Sequence, residues 1–112
     1  MNVSYEGIGY LAVTLPAGNC TEGHLCKLNP QGQCVACAEG DPFCGLVEAV
    51  DGENAAVQIE GFAEVRYTGD MPPKGYLKLS SNGKGGVKVD AAGKEYLAVA
   101  VDGSAATVTI KL

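Results

Sequence analysis

The chain of 112 residues has no tryptophan, one histidine (His24), five tyrosines and two phenylalanines. With one histidine, a nucleophile–histidine–carboxylate triad has a single possible base, and the residues around it do not read as a strand-turn-helix elbow. The serines Ser4, Ser80, Ser81 and Ser104 lie in no such elbow either. A carboxylate pair of the glycosidase kind cannot be set aside by counting acids, but the stacking faces of a sugar cleft are scarce. The composition therefore favours a protein that is not an enzyme. Basic residues are also few: 8 Lys and Arg stand against 13 Asp and Glu, a net charge of −5, with no basic cluster. Phosphate backbones and anionic membrane surfaces are bound by concentrated positive charge, so neither nucleic acid nor membrane is an expected partner.

Long apolar runs are missing too. No stretch approaches the roughly 18 to 20 residues that cross a bilayer as a helix. The first basic residue is Lys27, so the positively charged start of a secretory signal is lacking. Leu15 to Cys20 resembles a lipoprotein cleavage site only superficially, because Asn19 precedes the cysteine and no positive charge lies upstream. The expectation is a soluble protein that starts in the cytoplasm, with its five cysteines (Cys20, Cys26, Cys34, Cys37, Cys44) as reduced thiols.

Helical periodicity is nearly absent, since 16 glycines interrupt every window before an apolar stripe completes three turns. What is there instead is a strand pattern. Short segments rich in Val, Ile, Leu, Tyr and Thr alternate with Gly, Asp, Asn and Pro: 9–15, 24–28, 33–38, 43–49, 55–59, 63–68, 76–79, 87–90, 96–101 and 107–112. Ten short strands with turn residues between them predict an all-β sandwich or small barrel in a single domain. Asn29-Pro30-Gln31-Gly32, Asp51-Gly52, Asn82-Gly83 and Asp102-Gly103 supply the turn chemistry. Pro72 and Pro73 cannot sit in a central strand, so Thr68 to Lys74 is expected to connect two halves.

Halves are suggested by the sequence itself. Shifted by 51 residues, LVEAVDGENAAVQIE (Leu46 to Glu60) falls on LAVAVDGSAATVTIK (Leu97 to Lys111) with eight of fifteen positions identical. The same shift sets Lys27-Leu28 on Lys78-Leu79 and Gly32 on Gly83, giving repeat units of about 23–60 and 74–111 with pseudo-twofold character. A four-stranded unit buries only one face, so the copies are expected to share one core within a barrel domain spanning 19–112. Residues 1–18 fall outside that match and read as an extra edge strand or as an arm that pairs with a neighbour, with Tyr5, Ile8, Tyr10 and Leu11 as contact candidates.

Site chemistry is sparse. Gly83-Lys84-Gly85-Gly86 opens no helix and reads as a hairpin tip rather than a phosphate cradle. Cys34-Val35-Ala36-Cys37 is a lone C-x-x-C, and Cys20, His24, Cys26 and Cys44 lie nearby as weak metal-ligand candidates. If Cys34 and Cys37 share a regular strand they point to opposite faces; a turn there would bring them together. The plainest reading is small buried hydrophobes, with a zinc-stabilised or a redox domain as alternatives, and no cofactor is called for.

The repeated plan of Gly23 to Gly32, an Ala-containing loop into Gly45-Leu46-Val47, an alternating Val57 to Gly61 and the same again to the last strand resembles the small capsid cement, or head decoration, proteins of tailed bacteriophages and prophages. The resemblance spans about residues 8–112 and is one of pattern, size and composition. It implies a β-barrel that binds the outside of the expanded head, often as a homotrimer, and clamps major capsid subunits against internal pressure without catalysis. Its place would be the virion surface, after assembly from the bacterial cytoplasm. The five cysteines depart from that pattern, and the arm has no residue-by-residue match to the family's capsid contacts. A different class, a small ligand- or glycan-binding barrel, would instead gather aromatics such as Tyr67, Tyr76 and Tyr96 around a concave site.

Overall fold

The structure, a computed structural model, describes residues 9–112. Ten strands form: β1 (Leu11–Pro16), β2 (Leu25–Leu28), β3 (Cys34–Ala36), β4 (Gly45–Asp51), β5 (Asn54–Glu60), β6 (Phe62–Arg66), β7 (Gly75–Ser81), β8 (Val87–Val89), β9 (Lys94–Asp102) and β10 (Thr107–Lys111). They make two five-stranded antiparallel sheets packed as a sandwich, ordered β1-β5-β4-β2-β3 and β6-β10-β9-β7-β8. The second order is the first with every strand advanced by five. The expected all-β duplication is therefore present, and it is larger than the sequence match.

β1 belongs to the repeat. It pairs with β5 as β6 pairs with β10, so the part of the N-terminal segment from Leu11 onward is an integral edge strand. The junction between the halves is also not where the prolines suggested. Thr68 to Lys74 runs from β6 to β7 inside the second sheet, and the sheets are joined by Gly61 alone, between β5 and β6. Gly61 has a φ of 97°, and an added Cβ would lie 3.0 Å from the Tyr10 Cα, so a residue without a side chain is required there. The buried Gln58 holds this crossing by donating from Nε2 to the Glu60 carbonyl at 3.1 Å and the Phe62 carbonyl at 2.9 Å. The Leu112 N–H adds a bond to the Gly61 carbonyl at 2.9 Å.

Strand pairing corrects the sequence alignment as well. Val57 lies opposite Val13 and Val47, while Ile110 lies opposite Ala63 and Ala98. The structural counterpart of Val57 is thus Ile110, although the 51-residue shift pairs it with Val108. The β9–β10 turn, 103–106, is two residues longer than the β4–β5 turn, 52–53, and Ala106 takes a φ of 54° within it. A slip of two residues keeps every side chain on its face, so the apolar alternation survives unchanged. In β4 and β9 the 51-residue relation does hold, and both carry a β-bulge at the corresponding place, Glu48 and Val99.

The β2–β3 and β7–β8 hairpins repeat one turn device. Asn29 Oδ1 accepts from the Gln31 and Gln33 N–H groups at 3.1 and 2.8 Å. Asn82 Oδ1 accepts from Lys84 and Gly86 at 2.8 and 3.0 Å. Gly32 and Gly85, each at positive φ, close the two turns, so Gly32 corresponds to Gly85 and not to Gly83.

Each sheet also rolls toward itself. Parallel bridges between Ala17 and Cys34, and between Tyr67 and Val87, bring the strand after each first edge to the opposite edge. The core divides accordingly. The larger cluster takes Ala63, Val65, Leu79, Val87, Ala98, Val108 and Ile110 from the second half and Leu25, Cys37 and Phe43 from the first. A smaller cluster of Cys26, Cys34, Val47, Ala55 and Val57, flanked by Leu15, Cys20 and Cys44, fills the first half alone. The loop after β3 docks onto the second half through Gly40 N–H to Ser81 carbonyl and Ser81 N–H to Asp41 carbonyl bonds of 2.8 and 3.1 Å.

Candidate functional site

Two features stand out from this scaffold: the cysteines inside the first half and the outer face of β1. In β2 neighbouring residues point to opposite faces, so Leu25 enters the shared core while Cys26 enters the core of the first half. Cys34 joins Cys26 there from β3, and the half-buried Cys20 and Cys44 close the group. The thiol of Cys26 is close enough to those of Cys44 and Cys34 to shift their acidity, and Cys34 and Cys20 act on each other likewise. Cys44 also donates its backbone N–H to the Cys26 carbonyl at 2.8 Å.

This chain polarises the thiols unequally. The bond from Cys26, joined by backbone hydrogen bonding, lowers Cys44 from the ordinary 9 to about 7, against the opposing effect of burial. Cys26 is driven in the opposite direction, first by its bond to Cys44 and then by burial. Burial pushes Cys34 up to about 11. Of Cys26, Cys34 and Cys44, Cys44 alone is drawn toward the thiolate near neutral pH, and thiolate is the nucleophilic form.

The C-x-x-C does not act as a unit. Cys34 lies in β3 and faces the core of the first half, while Cys37 follows that strand and is buried in the shared core. Cys37 Sγ lies 3.9 Å from the Pro42 carbonyl. His24, just before β2, is exposed, with its ring against Gly85 of the second half. Among the described residues no group of three or more His, Cys, Asp or Glu side chains is arranged to hold a metal ion. The six weak metal candidates thus separate into four thiols in one core, one thiol in another and a surface histidine. The association of Cys20, Cys26, Cys34 and Cys44 depends on strand pairing, and the sequence offered only their proximity along the chain as a signal.

Of the aromatics named for a ligand site, Tyr76 and Tyr96 line one cleft of about 330 Å³ with Lys94, Leu97 and Lys111, which Tyr67 does not join. Tyr96 is buried and stacks on Phe43 with ring centroids 4.9 Å apart. Tyr76 is 73% exposed, and Tyr67 packs on the shared core. A cleft of about 610 Å³ lies between the halves and includes Glu22, His24, Glu64, Arg66 and Lys84 but no aromatic besides the histidine.

β1 differs from its counterpart in what it leaves uncovered. Ala63 and Val65 of β6 are buried, whereas Val13 and Leu15, which occupy the same positions in β1, are half-buried. Outward, β6 presents Glu64 and Arg66, but β1 presents Thr14 and Pro16 at those positions, beside exposed Ala12. Tyr10 and Leu11 continue this uncharged surface at 45% and 46% exposure. The Tyr10 hydroxyl donates to the Glu48 carboxylate, which fixes the ring over the bulge of β4. Tyr5 and Ile8, the other two contact candidates, lie outside the described residues. No protein-family model matches the chain, and neither a curated protein nor a solved structure is significantly similar to it.

Proposed function

We propose that the protein is a non-catalytic structural component of a phage or prophage particle that binds the outside of the capsid, self-associates as a trimer and stabilises the head. One observation carries this reading: the outward side of β1, from Tyr10 through Leu11, Ala12, Thr14 and Pro16, is exposed and free of charge in a chain whose net charge is −5. An edge strand of this kind is a surface on which a neighbouring subunit can add a strand or pack flat, and its counterpart β6 carries the charges that discourage such contact. Tyr67 stays apart from the cleft that Tyr76 and Tyr96 share, so the three aromatics that a ligand barrel would gather do not form one site. Many weak contacts repeated over a capsid lattice give stable occupancy without a deep site.

Quantitative mass spectrometry of density-banded particles induced from the source strain tests the role. Copies of this chain relative to the major capsid protein should approach one, or a simple fraction of it. Absence from particles that contain every other structural protein would remove the reading. The surface is tested by Thr14→Glu with Pro16→Arg, which gives β1 the outward charges of β6. This double variant should melt within a few degrees of the native chain, as surface changes of about 0.5 kcal/mol allow, yet be lost from particles. Retention at the native ratio would move the contact elsewhere.

A further inference from the structure

Four thiols converge in one core while the fifth lies in another, and within the four the pair Cys26–Cys44 has the backbone contact that a crosslink needs. A direct backbone N–H···O=C bond keeps the Cα atoms of its two residues within about 6.5 Å of each other, inside the roughly 4.4 to 6.8 Å that a disulfide spans. Gly45 lies opposite Cys26 in the ladder; the next residue, Cys44, donates its N–H to the Cys26 carbonyl at 2.8 Å and packs on the same first-half cluster as Cys26. Cys44 is half-buried, so a small solute reaches it, whereas Cys26 is fully buried behind it.

We propose that the first half is an oxidation-driven latch in which Cys44 is the attacking thiol and Cys26 the resolving one, closing an internal disulfide when the protein meets hydrogen peroxide or a peroxide of similar size. In the first step the Cys44 thiolate attacks one peroxide oxygen; the O–O bond breaks, hydroxide leaves, and Cys44 becomes a sulfenic acid. In the second step Cys26 sulfur attacks the Cys44 sulfur, the S–O bond breaks, and the Cys26 proton leaves with the hydroxyl as water. Two thiols are oxidised by two electrons and one peroxide is reduced. The lowered Cys44 acidity favours the first step at neutral pH. The raised Cys26 keeps the second thiol protonated and unreactive until the sulfenic acid is beside it.

The consequence is a covalent tie from β2 to the residue preceding β4. It leaves the chain reduced and adjustable in a reducing cytoplasm and closed once outside it. The chemistry stands whether or not the capsid reading does, because it is read from the isolated chain.

Reduced, full-length protein treated with one equivalent of hydrogen peroxide at pH 7.5 should lose two hydrogens by intact mass. Peptide mapping should then join Cys26 to Cys44, with Cys20, Cys34 and Cys37 still alkylatable. The melting temperature should rise by more than about 5 °C, because a loop of this length is closed in the unfolded chain. Cys44→Ser should abolish the bond under the same treatment, and Cys37→Ser should leave it undiminished. The mapping of the native chain needs no variant, so a misfolded Cys44→Ser does not blunt the test. Five free thiols after treatment, a bond linking Cys34 to either residue, or a Cys44 that proceeds to sulfinic acid with Cys26 still reduced would each overturn the latch.

Discussion

Single residues decide how the two halves meet. Gly61 allows one residue to serve as the whole connection, and Gln58 keeps its neighbours' carbonyls bonded where a sheet ladder ends. Cys37 works differently, as a small apolar group between the loop after β3 and the second half. Burial, and next the nearby Asp41 carboxylate, push its thiol from the ordinary 9 up to about 11. A raised folded-state pKa contributes stability that is fully present below the unfolded value and is lost as pH rises through the folded one. Cys34, also at about 11, acts in the same direction. Cys44 acts oppositely, since its folded value of about 7 adds stability as pH rises from there toward 9. The urea midpoint of the reduced protein should therefore rise from about pH 7 to 9 and fall from about 9 to 11. Cys37→Ala should flatten the alkaline limb. A midpoint that holds level or climbs between pH 9 and 11 would contradict this account.

At the level of strands and turns, the two hairpins offer an internal comparison. Asn82 is buried and its side chain receives two backbone N–H groups; Asn29 makes the same pair of bonds in a more open turn. Removing a buried acceptor leaves its donors unpaired at a cost of about 1–3 kcal/mol, while water replaces an exposed one. Asn82→Ala should lower the unfolding free energy by about 2 kcal/mol and Asn29→Ala by under about 1 kcal/mol, as read by urea titration. Equal losses would mean that local turn preference, and not burial, sets the cost. The elements themselves were legible, because glycine, asparagine and proline mark each turn and the β-branched runs lie between them. The pairing was less so. β1 and β6 share almost no residues at their common positions, Leu15 against Val65 or Pro16 against Arg66, so the fifth strand of the repeat was hidden. The two-residue slip in the last hairpin was hidden for the reason that makes it tolerable: it preserves which side chains face inward. For the site, a C-x-x-C drew attention to Cys34 and Cys37, whereas the thiols that meet are brought together by the pairing of β2 with β3 and with β4.

Over the whole molecule, duplication has not produced two independent bodies. Phe43 comes from the first half, yet its ring stacks on Tyr96 of β9 with an interplanar angle of 12°, in a cluster otherwise built mainly from the second half. Leu25 enters the same cluster, and its N–H bonds to the Gly85 carbonyl at 3.0 Å in the far hairpin. Lys88 and Glu39 add an ion pair of 2.9 Å across the same boundary, a contact exposed enough to contribute little. The apolar contribution dominates, because a phenylalanine truncated in a packed core costs about 3–5 kcal/mol. Such a loss is a large share of the roughly 5–15 kcal/mol that holds a domain folded. If the halves fold as one unit, Phe43→Ala should lower the melting temperature by more than about 10 °C while leaving a single transition. Tyrosine fluorescence and far-ultraviolet circular dichroism should then give the same midpoint, since the surroundings of Tyr10, Tyr67, Tyr76 and Tyr96 and both sheets would be lost together. If instead the second cluster of Cys26, Cys34, Val47 and Val57 sustains the first half alone, the variant would melt in two steps, with the sheet signal persisting after the Tyr67 and Tyr96 signals had changed. The shared placement of Phe43 and Leu25 argues for the single transition, because removing either opens the core of one half and exposes the apolar face of the other.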